Sequence, residues 1–214
     1  MLSTNEITVF KSYVIVLDNH PWGQEMANDA ISSGNDFGWH LEKFSAVDGR
    51  TINAETCLSE YGLRLYTGAK KHLAAMQRPG VFGNLLSHFK LWQLCLQLNE
   101  PIGCFEHDII FHGSYDKIDM GFDNLLKLDR SKLMKKYGTG NCYQGVYAYI
   151  IKPAGAKKLI DWSYKNGVTS ADVMVGDDVL DIAFDDNKLI SFNPKQQSDK
   201  NGYTPFSTSK TMTF

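Results

Sequence analysis

The chain has 214 residues, 43% of them hydrophobic and 21% charged, with a formal net charge of −2. That length suits one domain with a sizeable core and leaves a second cramped, and the composition is that of a soluble globular protein. Acids and bases are interleaved without a long basic stripe, which argues against affinity for nucleic acid built mainly on phosphate contacts.

Ser12-Tyr13-Val14-Ile15-Val16-Leu17 is a β-branched apolar run closed by Asp18-Asn19-His20-Pro21, the pattern of a buried strand and a sharp turn. A helix over Gln24–Ser33, stopping near Gly34, and a strand within Trp39–Val47 complete a βαβ opening. Asp48-Gly49-Arg50 reads as a turn. Short helical patterns follow at Ala54–Tyr61 and Ala69–Gln77, and Pro79-Gly80 breaks the chain. Gly83 to Leu98 carries the apolar spacing of a buried helix, which Pro101 ends. Ile102 to Phe105 reads as a central strand, and Ile109 to Asp119 as extended or looped. Phe122 to Leu128 has the spacing of a short helix. A basic turn over Lys132–Lys136 and a glycine turn at Gly138-Thr139-Gly140-Asn141 come next. Val146–Ile151 is a further strand, Pro153 opens a helix through Trp162, and Leu189–Phe192 is a last strand. The domain is expected over 1–198, with 199–214 as a polar tail or lid.

Cys57, Cys95, Cys104 and Cys142 form no CxxC pair, which disfavours a zinc ribbon or a dense disulfide framework. Met1–Phe10 lacks the apolar run of a signal peptide, and no stretch reaches the length of a membrane span. A cytoplasmic protein with reduced thiols is the expectation.

The chemistry concentrates at Phe105-Glu106-His107-Asp108. In extended chain the side-chain period is two, so Glu106 and Asp108 would face one way and His107 the other. Two like-facing carboxylates at the carboxyl end of a strand suit a divalent cation and a diphosphate ester, and ligands of open α/β sheets bind at that edge. By themselves two acids in this spacing are more often a solvated turn. His107 and His112 match no zinc spacing, and hard oxygen ligands favour Mn²⁺ or Mg²⁺. Ser87 and His88, near the start of a helix, could meet a phosphate or sugar or be ordinary packed polar residues. Asp18 and His20 follow the first strand, where a base and ribose would sit, or simply form a turn. Asp172, Asp177 and Asp178 are candidate general bases in an acid-rich stretch that could equally be a solvated face. No P-loop, GxGxxG or GxSxG motif is present.

Taken in order, these segments resemble the family-25 glycosyltransferases, which include lipooligosaccharide β-galactosyltransferases and collagen hydroxylysine galactosyltransferases. The resemblance is carried by Tyr13–Asp18, by Phe44–Ala46 leading into Val47-Asp48-Gly49-Arg50, and by Gly83-Asn84-Leu85-Leu86-Ser87-His88 with Leu91-Trp92. It continues through Phe105–Asp108, Gly145–Ile150, Gly155–Leu159, Asp172, and Pro194 with Gln196 or Gln197. Asn84 stands where the family has cysteine, a change read as one of packing, and His107 stands where it has a middle acid. The family's arginine is not evident near Pro21–Met26.

The resemblance implies a GT-A-like α/β domain with a mostly parallel sheet flanked by helices. It implies inverting transfer of a hexose, galactose by family weight, from a UDP-sugar to an acceptor hydroxyl. Asp108 would ligate Mn²⁺ or Mg²⁺, and Glu106 would bind the metal through water or hold the ribose. Asp172 is the first choice for the base, then Asp177 or Asp178. Asp18 and His20 would line the nucleotide end, and Ser87 and His88 the donor pocket. The acceptor is a glycan or another hydroxyl-bearing molecule. Nucleic acid is disfavoured by charge, although Lys132, Lys135 and Lys136 could still touch phosphate. A metal-dependent nucleotidyltransferase or phosphohydrolase, and a non-catalytic nucleotide- or carbohydrate-binding module, are the rival readings.

Overall fold

A computed structural model describes residues 10–68, 70–129, 133–135, 141–143 and 145–195, with side chains described for 10–68, 70, 72–129 and 145–195. The expected tail 199–214, Gln196, Gln197, Lys132, Lys136 and Gly138–Gly140 lie outside the described residues, as do the side chains of Lys135 and Cys142.

The opening is β1 (Ser12–Val16), α1 (Pro21–Asp36) and β2 (Leu41–Ser45), with β2 parallel to β1. Pro21 fits the first helical turn, and the His20 ring caps α1 by accepting from the Gly23 N–H at 3.0 Å. Gly34 does not stop this helix. It lets α1 approach β2, since a Cβ there would lie 2.1 Å from Leu41 Cδ1. Next come α2 (Ala54–Glu60), α3 (Lys70–Met76) and α4 (Pro79–Leu98). The Pro79-Gly80 pair opens α4 rather than breaking the chain, because proline's missing N–H is no loss at a helix start. Ser87 and His88 therefore lie in the interior of α4, and their N–H groups are not those of a helix N-terminus.

Asn99 in the left-handed conformation ends α4, and β3 (Ile102–Glu106) follows, then β4 (Ile109–Phe111) and a single 3₁₀ turn at Tyr115–Lys117. The remaining elements are β5 (Leu125–Lys127), β6 (Leu133–Lys135), β7 (Asn141–Tyr143), β8 (Ala148–Ile151), α5 (Pro153–Asn166), α6 (Ala171–Met174), β9 (Ile182–Phe184) and β10 (Ile190–Phe192). The helix expected over Phe122–Leu128 is replaced by β5. Apolar residues at 122, 125 and 126 mimic a helical stripe, but pairing with β8 and β9 claims the segment for the sheet.

The main sheet has the order β2-β1-β3-β8-β5-β9. Pairing is parallel except on the two sides of β8, so the fold is α/β with a mostly parallel sheet flanked by helices. Side chains alternate between two cores. Tyr13, Ile15, Ile102, Cys104, Leu125, Tyr149 and Ile151 join the face covered by α4 and α5. Val14, Val16, Phe105, Leu126, Ala148 and Ile150 join the opposite face with Trp39, Phe111 and Tyr115. Burial on both faces explains why the inner strands read as continuous apolar runs.

Among the described cysteines, Cys95 and Cys104 are buried free thiols and Cys57 is half-buried. No helix among the described residues is long and apolar enough to cross a membrane.

Candidate functional site at the carboxyl edge of the sheet

The parallel strands β1, β2, β3 and β5 deliver their carboxyl ends to one edge, and antiparallel β8 begins there. The alternation predicted from the sequence holds through Glu106, which follows Ile102 and Cys104 onto the α4 face. It stops there, because His107 and Asp108 form a turn into β4.

Glu106 is held from α4. Its Oε1 accepts from Asn84 Nδ2 at 2.8 Å and lies 3.7 Å from His88 Nε2. Asn84 is thus more than a packing substitution. Burial pushes the Glu106 carboxyl up, but His88 and the Asn84 amide outweigh it and leave the group below its ordinary value. Asp108 is the reverse case: burial, and then the Glu106 charge, push it up to about 7. His107 turns to the α1 side, edge-on to Trp22, with a hydrogen bond to the Ile15 backbone. Burial lowers its pKa and favours the neutral ring.

The β5–α6 side supplies charges the sequence reading missed. Lys127, two residues after Leu125, falls on the same face as Glu106. It is fully buried and donates to the Gly145 carbonyl at 2.7 Å, with Asp129 at 3.1 Å. Burial lowers its pKa against the pull of Asp129, Asp172 and Glu106. A lysine inside Leu125-Leu126-Lys127-Leu128-Asp129, with an acid two residues on, was the available signal. Tyr147 lies at the start of β8, and its hydroxyl is pushed up to about 12 by burial and by Asp129, Asp108 and Glu106. Asp172, in α6, is raised by burial and by Glu106, with His88 and Lys127 opposing.

The structure therefore brings together Glu106, Asp108, His88 and Asp172 from the predicted set, and adds Lys127, Asp129 and Tyr147. The other predicted residues sit differently. Ser87 is buried and committed to the fold: its hydroxyl donates to the Gly83 carbonyl at 2.7 Å and accepts from the Val47 N–H at 2.9 Å. That clamp joins two glycines at a backbone-to-backbone contact, since a Cβ on Gly83 would lie 2.3 Å from Val47 O and one on Gly49 would lie 2.0 Å from Pro79 O. Asp18 is exposed and accepts from Ser45 Oγ. His20 caps α1 near Asp48, whose carboxyl is lowered chiefly by its hydrogen bond from Arg50. Asp177 and Asp178 are exposed in the turn after α6.

Among the described residues, no group of three or more His, Cys, Asp or Glu side chains is gathered so as to hold a metal ion. The donor chemistry still fits a hard divalent cation. Asp108 is buried with Glu106 half-buried beside it, and a cation there would relieve both the burial cost and the repulsion that raise Asp108. The remaining ligands would be substrate oxygens and water.

A mostly parallel sheet with carboxylates at its carboxyl edge is the arrangement in which open α/β folds take ligands at that edge. Residues 10–141 match the family described as "Glycosyltransferase family 25 (LPS biosynthesis protein)", and the chain belongs to that family. It is 26% identical over 173 residues to a "Glycosyltransferase 25 family member" of Aedes aegypti, covering 70% of this chain and 27% of that protein. A relative of the same description from Drosophila pseudoobscura pseudoobscura is 29% identical over 109 residues, covering 50% of this chain and 17% of its own length. The chain thus spans about a quarter or less of the curated relatives it matches. Among solved structures, the glycosyltransferase GlyE of Streptococcus pneumoniae TIGR4 superposes with a TM-score of 0.41 at 14% identity, covering 83% of this chain and 45% of that one.

Proposed function

We propose that this chain transfers a hexose, galactose by family weight, from a UDP-sugar to an acceptor hydroxyl with inversion, in a metal-dependent reaction on a GT-A-like scaffold. The observation that carries the reading is the pairing of Glu106 and Asp108 at the carboxyl end of β3, with Asp172 within the electrostatic reach of Glu106. Asp108 would hold Mn²⁺ or Mg²⁺, with Glu106 as ligand through water or as ribose contact. The cation would neutralise charge on the departing nucleotide diphosphate. Asp172, its pKa raised by burial and by Glu106, is suited to accept the proton of the attacking hydroxyl. Lys127 and Asp129 balance charge beneath these groups. His20 and Asp18 lie at the β1 end, where the nucleotide would enter, and His88 stands behind Glu106. The acceptor is a glycan or another hydroxyl-bearing molecule, and the chain is expected to work in the cytoplasm.

The test is thermal unfolding of the purified protein with UDP, GDP and CMP, each with and without Mn²⁺. A ligand that binds the folded state raises the midpoint, by about 2.7 kcal/mol of stability at a hundredfold excess over Kd. Stabilisation by UDP that requires Mn²⁺ is expected, followed by glycoside formation from a UDP-hexose. Stabilisation without Mn²⁺ would support a binding module. Hydrolysis of the sugar nucleotide without glycoside would support a phosphohydrolase. No response to any nucleotide would overturn the proposal.

A further inference from the structure

A buried polar chain runs behind Glu106, away from the site. Trp92 Nε1 donates to the Tyr149 hydroxyl at 3.0 Å, and that hydroxyl lies 2.8 Å from His88 Nδ1. All three side chains are 0% exposed. An indole N–H can only donate, so the Tyr149 oxygen uses one lone pair to accept it. The single Tyr149 proton then has two acceptors in reach, the Cys104 sulfur and the His88 Nδ1. Sulfur is a weak acceptor and imidazole nitrogen a good one, so the proton goes to Nδ1. A neutral imidazole that accepts at Nδ1 carries its own proton on Nε2.

Among the described residues that Nε2 has no hydrogen-bond partner, and it lies 3.7 Å from Glu106 Oε1, the oxygen that Asn84 already holds. The gap exceeds a hydrogen bond by roughly 1 Å, a distance a carboxylate rotation can close. The ring stacks on Tyr149 with centroids 5.6 Å apart and planes 28° from parallel, so its direction is fixed from the side away from the substrate.

We propose that His88, locked as its Nε2–H tautomer by Tyr149, is the positioning residue of Glu106. With Asn84 it directs two N–H groups at Oε1 and leaves Oε2 for the ligand. What Glu106 presents itself to rests on the function proposed above; the tautomer does not.

The test has three arms. Long-range ¹⁵N–¹H correlation spectra of the protein without nucleotide or metal should show His88 protonated at Nε2 and bare at Nδ1. An Nδ1–H ring, or a doubly protonated one at neutral pH, overturns the proposal. In Tyr149→Phe the two tautomers should mix, and a pure Nε2–H ring there would remove Tyr149 from the device. The third arm compares His88→Gln with His88→Asn by their Mn²⁺-dependent affinity for UDP. A glutamine amide can reach close to where Nε2 stood, and asparagine only to Nδ1. The expected loss is a few-fold for glutamine and roughly 10–100-fold for asparagine. Equal losses, or losses that merely track each variant's unliganded midpoint, overturn the positioning role. If the wild type shows no UDP response, the proposed function fails and the spectra alone decide this inference.

Discussion

The two walls of the site handle charge in opposite ways. The α4 wall meets Glu106 with hydrogen-bonding side chains: the Asn84 amide, and His88 backed by Tyr149 and Trp92. The β5–α6 wall is built from charges, with Lys127 and Asp129 fully buried and Asp172 half-buried beside them. The consequence is visible in the acids themselves. Glu106, faced by donors, is held below its ordinary pKa, whereas Asp172 is raised, by burial and by another acid in reach. A wall of hydrogen-bond donors fixes a carboxylate in place. A wall of balanced charges leaves acids poised to exchange protons or to accept a cation. Asp108, pushed up to about 7 between the two walls, is where that difference is sharpest.

The largest expected effect comes from Asp108→Asn, which should abolish metal-dependent transfer. Its effect on stability should run the other way. A carboxyl whose folded pKa is about 7, against an ordinary 3.8, contributes stability that is full below 3.8 and lost as pH rises through 7. Asparagine carries no such dependence. Without metal, the variant should therefore melt above the wild type at pH 8, by at most about 4 kcal/mol of stability, with the gain shrinking toward pH 5. Equal unfolding midpoints at both pH values would mean that burial and Glu106 do not raise the Asp108 carboxyl. Next in size is Asp172→Asn, for which removal of a general base lowers kcat by roughly 10² to 10⁴. Transfer kinetics with saturating donor would measure it, and an unchanged kcat would take the base role from Asp172.

The charged wall can also be broken directly. Asp129→Asn leaves Lys127 buried without its carboxylate and should cost about 3–5 kcal/mol in urea unfolding. The double variant Lys127→Met with Asp129→Asn should recover most of that. If the double variant is no more stable than Asp129→Asn, the pair's contribution is not one of charge compensation.

The α4 wall was half legible in the sequence and the charged wall was not, for a physical reason. Ser87 and His88 fall within the α4 stripe, and Phe105-Glu106-His107-Asp108 closes an apolar run, so periodicity places both. It could not show that α4 begins at Pro79, because proline signals a break and a helix start alike. Ser87 accordingly turned out to be a clamp between α4 and the Val47–Gly49 loop. On the charged wall, β5 is three residues long, too short for alternation to show, and Phe122, Leu125 and Leu126 fall at helical spacing. Lys127 becomes visible only once β8 and β9 pair around that strand. The role of Asn84 is not legible in the sequence, because its partner Glu106 lies 22 residues away and no local rule joins them.

The smallest expected effects test where the charged wall ends. Asp177 and Asp178 lie just beyond α6 and share with Asp172 an acid-rich stretch that does not separate them by sequence. Burial separates them: Asp172 faces Glu106, and the other two are exposed in a turn. Burial and Glu106 raise the proton affinity of Asp172, which suits it to take the proton of a hydroxyl. Asp177→Asn and Asp178→Asn should each change stability by no more than about 0.5 kcal/mol. Each should leave kcat within a few-fold of wild type under conditions where Asp172→Asn is nearly inactive. Should Asp177→Asn or Asp178→Asn prove the inactive variant instead, proton acceptance belongs to the exposed turn, and Asp172 is left as part of the charge balance around Lys127.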